Sequence, residues 1–380
     1  MNFVAEALGL SRQTAEKLEE GSILRKAFVR DSFFPDLVDA YRLDKKFGKF
    51  EEGTFIAKLK DRTFVARGFP KIRRTLLLDP TLKKHFGNRR IVLEEKMNGY
   101  NVRIVKMGEN IYAITRGGLL CPYTTEKARK MISTDFFEDF PEYMLCCEAV
   151  GIASPYVVFD YGVEFDFFLF DIRNAKTNEA LSVKDKVEIA ESYSIKTARI
   201  LLETNADNVD LILKTVQELE AERREGVVIK DVEMKIEPLK YTTSYINCSD
   251  LRYAFRYFAE YGRDFMLSRI IREAFQSYEI KETQKDFEKR CLRLGKAILE
   301  PLVESIKDVK SGKDVVEKSK IFFYDGRVAE LFKRHLKMQG INAKLTYLYK
   351  KDGKIYYELQ RVMRSTTDKI SRILEGGYWQ

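Results

Sequence analysis

The 380-residue sequence predicts an α+β protein, on three observations. Residues 91–172 form a run of short segments rich in β-branched and aromatic side chains between Gly and Asn breaks, the pattern of paired strands. Residues 251–310 change character and read as helices. A chain of this length is too long for one compact core, so two or three domains are expected.

Taken in order, the first 25 residues read as helical, with Ser11 as N-cap of RQTAEKLEE. Residues 47–69 alternate like paired strands divided by charged turns. RIVLEEKMNGYNVRIVKM, NIYAITRGG, YMLCCEAVG, YVVFDYG and DFFLFDI then supply the strand-rich middle. Ser182 caps a short helix to about 193, and a helix over 208–224 stops at Gly226, before the strand VVIK. A further strand precedes Tyr241. Between 251 and 310, Gly262, Gly295 and Pro301 are expected to punctuate the helices. The last 60 residues mix helices with a hairpin, LTYLYKKDGKIYYELQ, turned at Lys-Asp-Gly. The expected division is an N-terminal module (1–65), a central domain (66–241), a helical region (242–315) and a basic C-terminal domain (316–380).

Composition narrows the chemistry. Five cysteines with no CxxC spacing argue against a zinc site or a disulfide framework and point to a reducing interior. The first residues lack a charged, apolar leader pattern, and the most apolar run, FDFFLFD, is short and bracketed by acids. A soluble, cytoplasmic protein without a membrane segment is expected. With only two histidines, His85 and His335, an enzyme here works through Lys, Arg and carboxylates. The net charge of +9 is uneven: residues 331–380 hold eleven Lys/Arg against four Asp/Glu, and 71–90 hold seven against one. Basic blocks broken by Phe, Tyr and Leu suit a polyphosphate partner, although each alone also fits a solvated surface.

The stretch EEKMNGYNVRIV (94–105) carries the sharpest question. Locally it is a turn entering a strand, and its Lys96 reads as a solvated charge. A nucleophilic lysine that attacks a nucleotide α-phosphate needs more: neighbouring cations, carboxylates for ribose and metal, and a ring for the base. The middle of the chain offers these in order. Asn101 and Arg103 share a face of the strand after the turn. Arg116 follows in ITRGG, Glu148 in LCCEAVG, Phe170 in FFLFDI, Glu225 and Lys230 in EGVVIK, and Lys240 in EPLKY. Read singly, Phe170 is a core ring, Glu148 a structural ion partner and EGVVIK a helix end running into a strand. The ordered set is what chance does not supply.

These residues resemble the covalent nucleotidyltransferases, the ATP-dependent DNA and RNA ligases and mRNA capping enzymes. Lys96-Met97-Asn98-Gly99 matches their K-x-D/N-G motif, and the later motifs follow in order across 94–241. The wording KMNGYNVR and LKYTT, with helices after the last motif, resembles most the archaeal homodimeric RNA ligases. The resemblance implies a nucleotidyltransferase domain of antiparallel sheets with flanking helices, ATP-grasp-like, followed by a mainly helical C-terminal region. It implies that Lys96 forms lysyl-AMP, with Glu95, Asn98, Gly99, Arg103, Arg116, Glu148, Phe170, Lys230 and Lys240 around the nucleotide. Glu225 serves Mg²⁺ or Mn²⁺. The implied partners are ATP, single-stranded RNA with 5′-phosphate and 3′-hydroxyl ends, and a second copy of the chain. Two departures stand out: Asn98 occupies a position where many ligases have Asp, and Lys240 lacks the companion lysine of a K-x-K pair, for which Lys235 is the nearest substitute. Another member of the superfamily (a DNA ligase or a capping enzyme) and a non-catalytic RNA-binding protein are the competing readings.

Overall fold

In the computed structural model, which describes residues 2–378, contacts group the chain into two units, each gathered from three stretches. The first comprises residues 1–71, 98–198 and 319–359, and the second 72–97, 199–318 and 360–380. The chain passes between them within the Lys96 motif, after Met97.

The first unit contains two four-stranded antiparallel sheets. One joins Leu24–Lys26, Leu37–Leu43, Phe55–Leu59 and Thr63–Ala66 in chain order. The other runs Asp166–Asn174, Tyr143–Val150, Tyr100–Met107, Asn110–Thr115. Its strands alternate with period two: Val102, Ile104, Leu145, Cys147, Ala149 and Leu169 enter the main core, and their neighbours, Arg103, Val105 and Cys146 among them buried as well, face the other way. Cys146 and Cys147 are buried strand residues that form no disulfide among the described residues. The opening segment is two helices, Asn2–Leu8 and Arg12–Glu20, because Gly9 adopts a left-handed φ of 67° between them. Ser11 caps the second as expected, its Oγ accepting from Thr14 N at 3.1 Å. The predicted hairpin is Ala343–Lys351 against Lys354–Val362, turned by Asp352 and Gly353, both at positive φ.

The second unit is built on a five-stranded sheet ordered Ile200–Asn205, Arg90–Glu95, Gly226–Asp231, Leu239–Thr242, Arg73–Arg74. Helices Leu78–Phe86 and Val209–Ala221 cover the face that carries Ile91, Leu93, Val227, Ile229, Leu239 and Tyr241. The second of these helices ends at Ala221, earlier than expected, and Gly226 opens the next strand. Helices Ser244–Arg256, Arg263–Glu279 and Gln284–Lys310 follow. Gly262 caps the middle one, but Gly295 and Pro301 do not punctuate: the last helix runs through both. A proline costs an interior helix one N–H bond. Here the Pro301 carbonyl still accepts from Ser305 Oγ, and Ala297, Pro301 and Ser305 keep a buried stripe in register. Among the described residues no helix is long and apolar enough to cross a membrane.

Burial also places one titratable group where it cannot charge. His335 is fully buried in the first unit, with Nε2 3.2 Å from the Tyr156 hydroxyl and no hydrogen bond at Nδ1 among the described residues. Burial pushes its pKa from 6.5 down to about 3. The unfolded chain therefore binds a proton near pH 6.5 that the folded chain refuses until about pH 3. The stabilisation from neutral His335 is complete above pH 6.5 and is lost as the pH falls through that window. The slope is about 1.4 kcal/mol per pH unit. Denaturant titrations between pH 7.5 and 4.5 should show a shallower loss for His335→Phe than for wild type; identical slopes would refute this.

Candidate active site

Lys96 is placed by strand pairing. The strand Arg90–Glu95 runs antiparallel to Gly226–Asp231 with Val227 opposite Glu95, and Lys96 N donates to Gly226 O at 2.8 Å. This sets the Lys96 side chain against Glu225, whose Oε1 lies 2.6 Å from Nζ. Gly226 permits the approach: its φ is 149°, and a Cβ there would lie 2.2 Å from Tyr241 O.

Period-two alternation then sorts the neighbours. Ile91 and Leu93 face the core, so Val92, Glu94 and Lys96 face the other way. Across the sheet Glu94 sits opposite Val228, Val228 opposite Lys240, and Lys240 opposite Arg74. Directly opposed residues share a face, so Lys96, Lys230, Lys240 and Arg74 all project from one side. Lys230 is buried and paired with Glu94, Nζ to Oε1 2.9 Å, at 2% and 1% side-chain exposure. Lys235 is exposed, in the turn after the Lys230 strand, its backbone N–H donating to Asp231 Oδ2 at 2.9 Å.

The first unit displays its own set. Asn101 pairs in register with Glu148, and Glu148 with Phe168, on the face opposite its core. Arg116 is exposed in the turn that follows Asn110–Thr115, and its N–H donates to Asn101 O at 3.1 Å. Phe170 sits at a register shift in its strand and meets Phe69 edge to face at 5.1 Å. Asn98 N donates to the Tyr161 hydroxyl at 2.7 Å. Gly99 is obligatory for a different reason from Gly226: a Cβ there would lie 2.3 Å from Ala149 O.

Two of the expected nucleotide contacts are held by other groups of the chain in this structure. Glu95 has the wrong parity: it turns to the face opposite Lys96, where Arg199 Nε holds it at 2.5 Å. Arg103 shares a face with Asn101 as expected, but it is fully buried. Its guanidinium donates to the carbonyls of Gly53 and Thr115, each at 2.8 Å, and to those of Ala66 and Arg67. It ties strands together through Nη1 and Nη2, while its buried Nε has no hydrogen-bond partner among the described residues. Burial pushes its pKa down to about 10. The sequence reading passed over Glu94, which parity with Lys96 identifies, and named Asn101 beside Arg103 without giving it a contact. The buried Asn101 Oδ1 has no hydrogen-bond partner among the described residues. Such an atom carries a cost of about 1–3 kcal/mol unless a ligand satisfies it.

These placements separate lysines by their contribution to stability. Glu94→Ala leaves the Lys230 ammonium without its ion partner and should cost about 3–5 kcal/mol. Lys96→Ala should cost about 1 kcal/mol or less, because its ion pair is partly solvated. Denaturant midpoints of the two variants test this; a large loss from Lys96→Ala would mark that lysine as structural.

Comparison with known proteins gives a consistent family. The family model for RNA ligase matches residues 89–242, and that for the Ligase Pab1020 C-terminal region matches residues 253–377. An uncharacterized protein of Methanocaldococcus jannaschii is 37% identical over 391 residues, spanning 100% of this chain and 97% of that protein. An archaeal ATP-dependent RNA ligase of known structure has a TM-score of 0.91 at 37% identity, over 100% of this chain and 99% of its own. A candidate ATP-dependent DNA ligase from Aquifex aeolicus reaches a TM-score of 0.88 at 26% identity, over 97% of this chain and 100% of its own. The similarity extends from end to end, past the nucleotidyltransferase strands and through the helices that follow them, and on that ground the chain belongs to the family of archaeal ATP-dependent RNA ligases.

Proposed function

We propose that this ligase joins an RNA 5′-phosphate to a 3′-hydroxyl through lysyl-AMP and RNA-adenylate, and that Lys96 is the nucleophile. The observation that carries the reading is Lys96 itself, held by Glu225 on a sheet face that also bears Lys230, Lys240 and Arg74. In the first step the Lys96 Nζ–phosphorus bond forms and the bond from the α-phosphorus to pyrophosphate breaks. The proton must leave Nζ, and Glu225 Oε1 at 2.6 Å is an acceptor already in place. AMP then passes to the RNA 5′-phosphate, and a 3′-hydroxyl displaces it.

The resemblance assigns the remaining roles. Arg116 and Glu148 contact the ribose, Phe170 stacks on adenine, and Asn98-Gly99 present the lysine. Lys230 and Lys240 serve the phosphates. Among the described residues no group of three or more His, Cys, Asp or Glu could hold a metal ion alone. The donor set instead fits an ion held by Glu225 together with phosphate oxygens and water, which is how magnesium binds beside nucleotides. When bound, Mg²⁺ or Mn²⁺ supplies positive charge to the phosphoryl oxygens.

Residues 66–241 would then be the adenylyltransferase domain, after the N-terminal module 1–65. Residues 242–315 form the dimerisation region, and the basic 316–380 and 71–90 hold RNA backbone. Support for a dimer comes from exposed apolar stripes. Leu267, Ile271, Phe275 and Tyr278 recur every three or four residues along one helix, and Leu292, Leu299, Val303 and Ile306, spaced by seven, four and three, lie along the next. Tyr278 is 77% exposed and Leu299 63%. A second copy, applied by two-fold symmetry, buries such stripes at low cost. Free cysteines and the RNA substrate suit the cytoplasm.

Incubation with α-labelled ATP and Mg²⁺ or Mn²⁺ should leave label on the denatured wild-type protein and none on Lys96→Ala. Label surviving that substitution would sink the assignment, and labelling by GTP in place of ATP would favour a capping enzyme. The labelled protein should then seal 5′-phosphorylated RNA; sealing of nicked DNA alone would overturn the RNA reading. Light scattering should report twice the chain mass of 44.4 kDa, and Leu292→Glu with Leu299→Glu should reduce it to the single mass.

A further inference from the structure

The cationic row on the Lys96 face does not stop at Lys240. Arg74 lies next to it in register on the last strand, and its Nη1 donates to Thr242 Oγ1 at 2.7 Å. Helix Arg263–Glu279 adds Arg269 and Arg272, one turn apart. That helix is pinned beside the sheet. Tyr241 donates to Glu279 Oε2 at 2.9 Å, and Asn247, Ser244 and Arg290 all bond Glu273. A small cleft lined by Thr75, Leu76, Tyr241, Thr242, Arg272 and Gln276 opens there.

The charges in this corner do not balance. Arg269 is matched by Asp250 at 2.8 Å, and Glu225 is taken by Lys96. Arg272 is only partly exposed and has no ion pair or hydrogen bond among the described residues. Its pKa is pushed down to about 10 by burial first, then by Arg74 and Arg269. Arg74 is lowered by burial, against the pull of Glu225. Three guanidinium groups held together with only Asp250 as an ion partner among them are an unfavourable arrangement until an anion arrives. Arginine clusters presented this way match phosphoryl oxygens, to which each fork gives two bonds.

We propose that Arg74, Arg269 and Arg272, beside Thr242, form a subsite for the pyrophosphate half of ATP, an inference that rests on the ligase reading. The cluster continues the Lys240 row and lies within the field of Glu225, the ion partner of the nucleophile. It therefore stands where the phosphates of a nucleotide under attack by Lys96 extend. As the Nζ–phosphorus bond forms, the electron pair of the breaking bond goes to the pyrophosphate oxygen, and the guanidinium groups stabilise that charge.

Equilibrium dialysis of the full-length protein against labelled inorganic pyrophosphate with Mg²⁺ tests this without requiring catalysis. Losing one charge-assisted contact should weaken binding about ten- to a hundredfold in Arg272→Ala. Arg272→Lys, which keeps the charge without the fork, should recover part of it. Because Arg272 holds no other side chain, its variants should melt with the wild type. Wild type and Arg272→Ala binding pyrophosphate equally, while wild type takes label from ATP, overturns this inference and leaves the ligase reading standing. A wild type that takes no label yet binds pyrophosphate through Arg272 overturns the ligase reading and not the subsite. Sealing of pre-adenylated RNA, which releases no pyrophosphate, separates the sources of phosphate. A loss there with pyrophosphate binding intact would assign the cluster to RNA phosphates and overturn the proposal.

Discussion

The antiparallel pairing of Arg90–Glu95 with Gly226–Asp231 decides where every charged group of the second unit can stand. One backbone bond, Lys96 N to Gly226 O, closes that pairing at the point where the strand ends. A slip of one residue would send Lys96 to the helix-covered face and bring Glu95 to the other. The register is defended by apolar residues: Ile91, Leu93, Val227 and Ile229 have no alternative face on which to be buried. Hydrophobic burial thus fixes the position of Lys96, the proposed nucleophile.

Charge is treated differently at different depths of the same framework. Glu94 and Lys230 form a buried pair, and Arg103 is buried among carbonyl oxygens; both link neighbouring strands. Lys96 and Glu225 are half-open. Breaking a buried pair is costly, whereas a partly solvated pair exchanges partners at low cost. The Lys96–Glu225 contact therefore suits a site in which both groups must take new partners during a reaction.

Much of this could be read from the sequence, and the failures have identifiable causes. The strands, the Ser11 and Ser182 caps and the Asp-Gly hairpin are local signals, and the structure contains them, whereas Asn98-Gly99 is a bend without positive φ. The Glu94–Glu95 choice was also legible, since parity with Lys96 selects Glu94. Arg103 was not: its depth depends on residues 53, 66 and 67, which no local pattern links to it. Gly295 and Pro301 misled because local breaking tendencies are weaker than a long buried stripe. Arg272 was invisible for a related reason. It comes about thirty residues after the last strand, on a helix whose other face gives the stronger, apolar pattern.

That helix joins two constraints that the sequence presents separately. Its apolar stripe (Leu267, Ile271, Phe275, Tyr278) is exposed, and its polar stripe carries Arg269 and Arg272 toward Thr242. Glu273, buried between them and bonded to Ser244, Asn247 and Arg290, fixes how far the helix is rotated. Rotation is the one variable that both stripes share, since residues three and four apart stay in line. An interaction that clamps the apolar stripe would therefore also restrict the arginines. Covering the stripe with a second copy would stiffen the phosphate-facing side without adding a contact to it. With the proposed dimer and the proposed anion subsite both on this helix, association of two chains and readiness of the subsite would be coupled through its rotation, and Glu273 would be the residue at which that coupling is set.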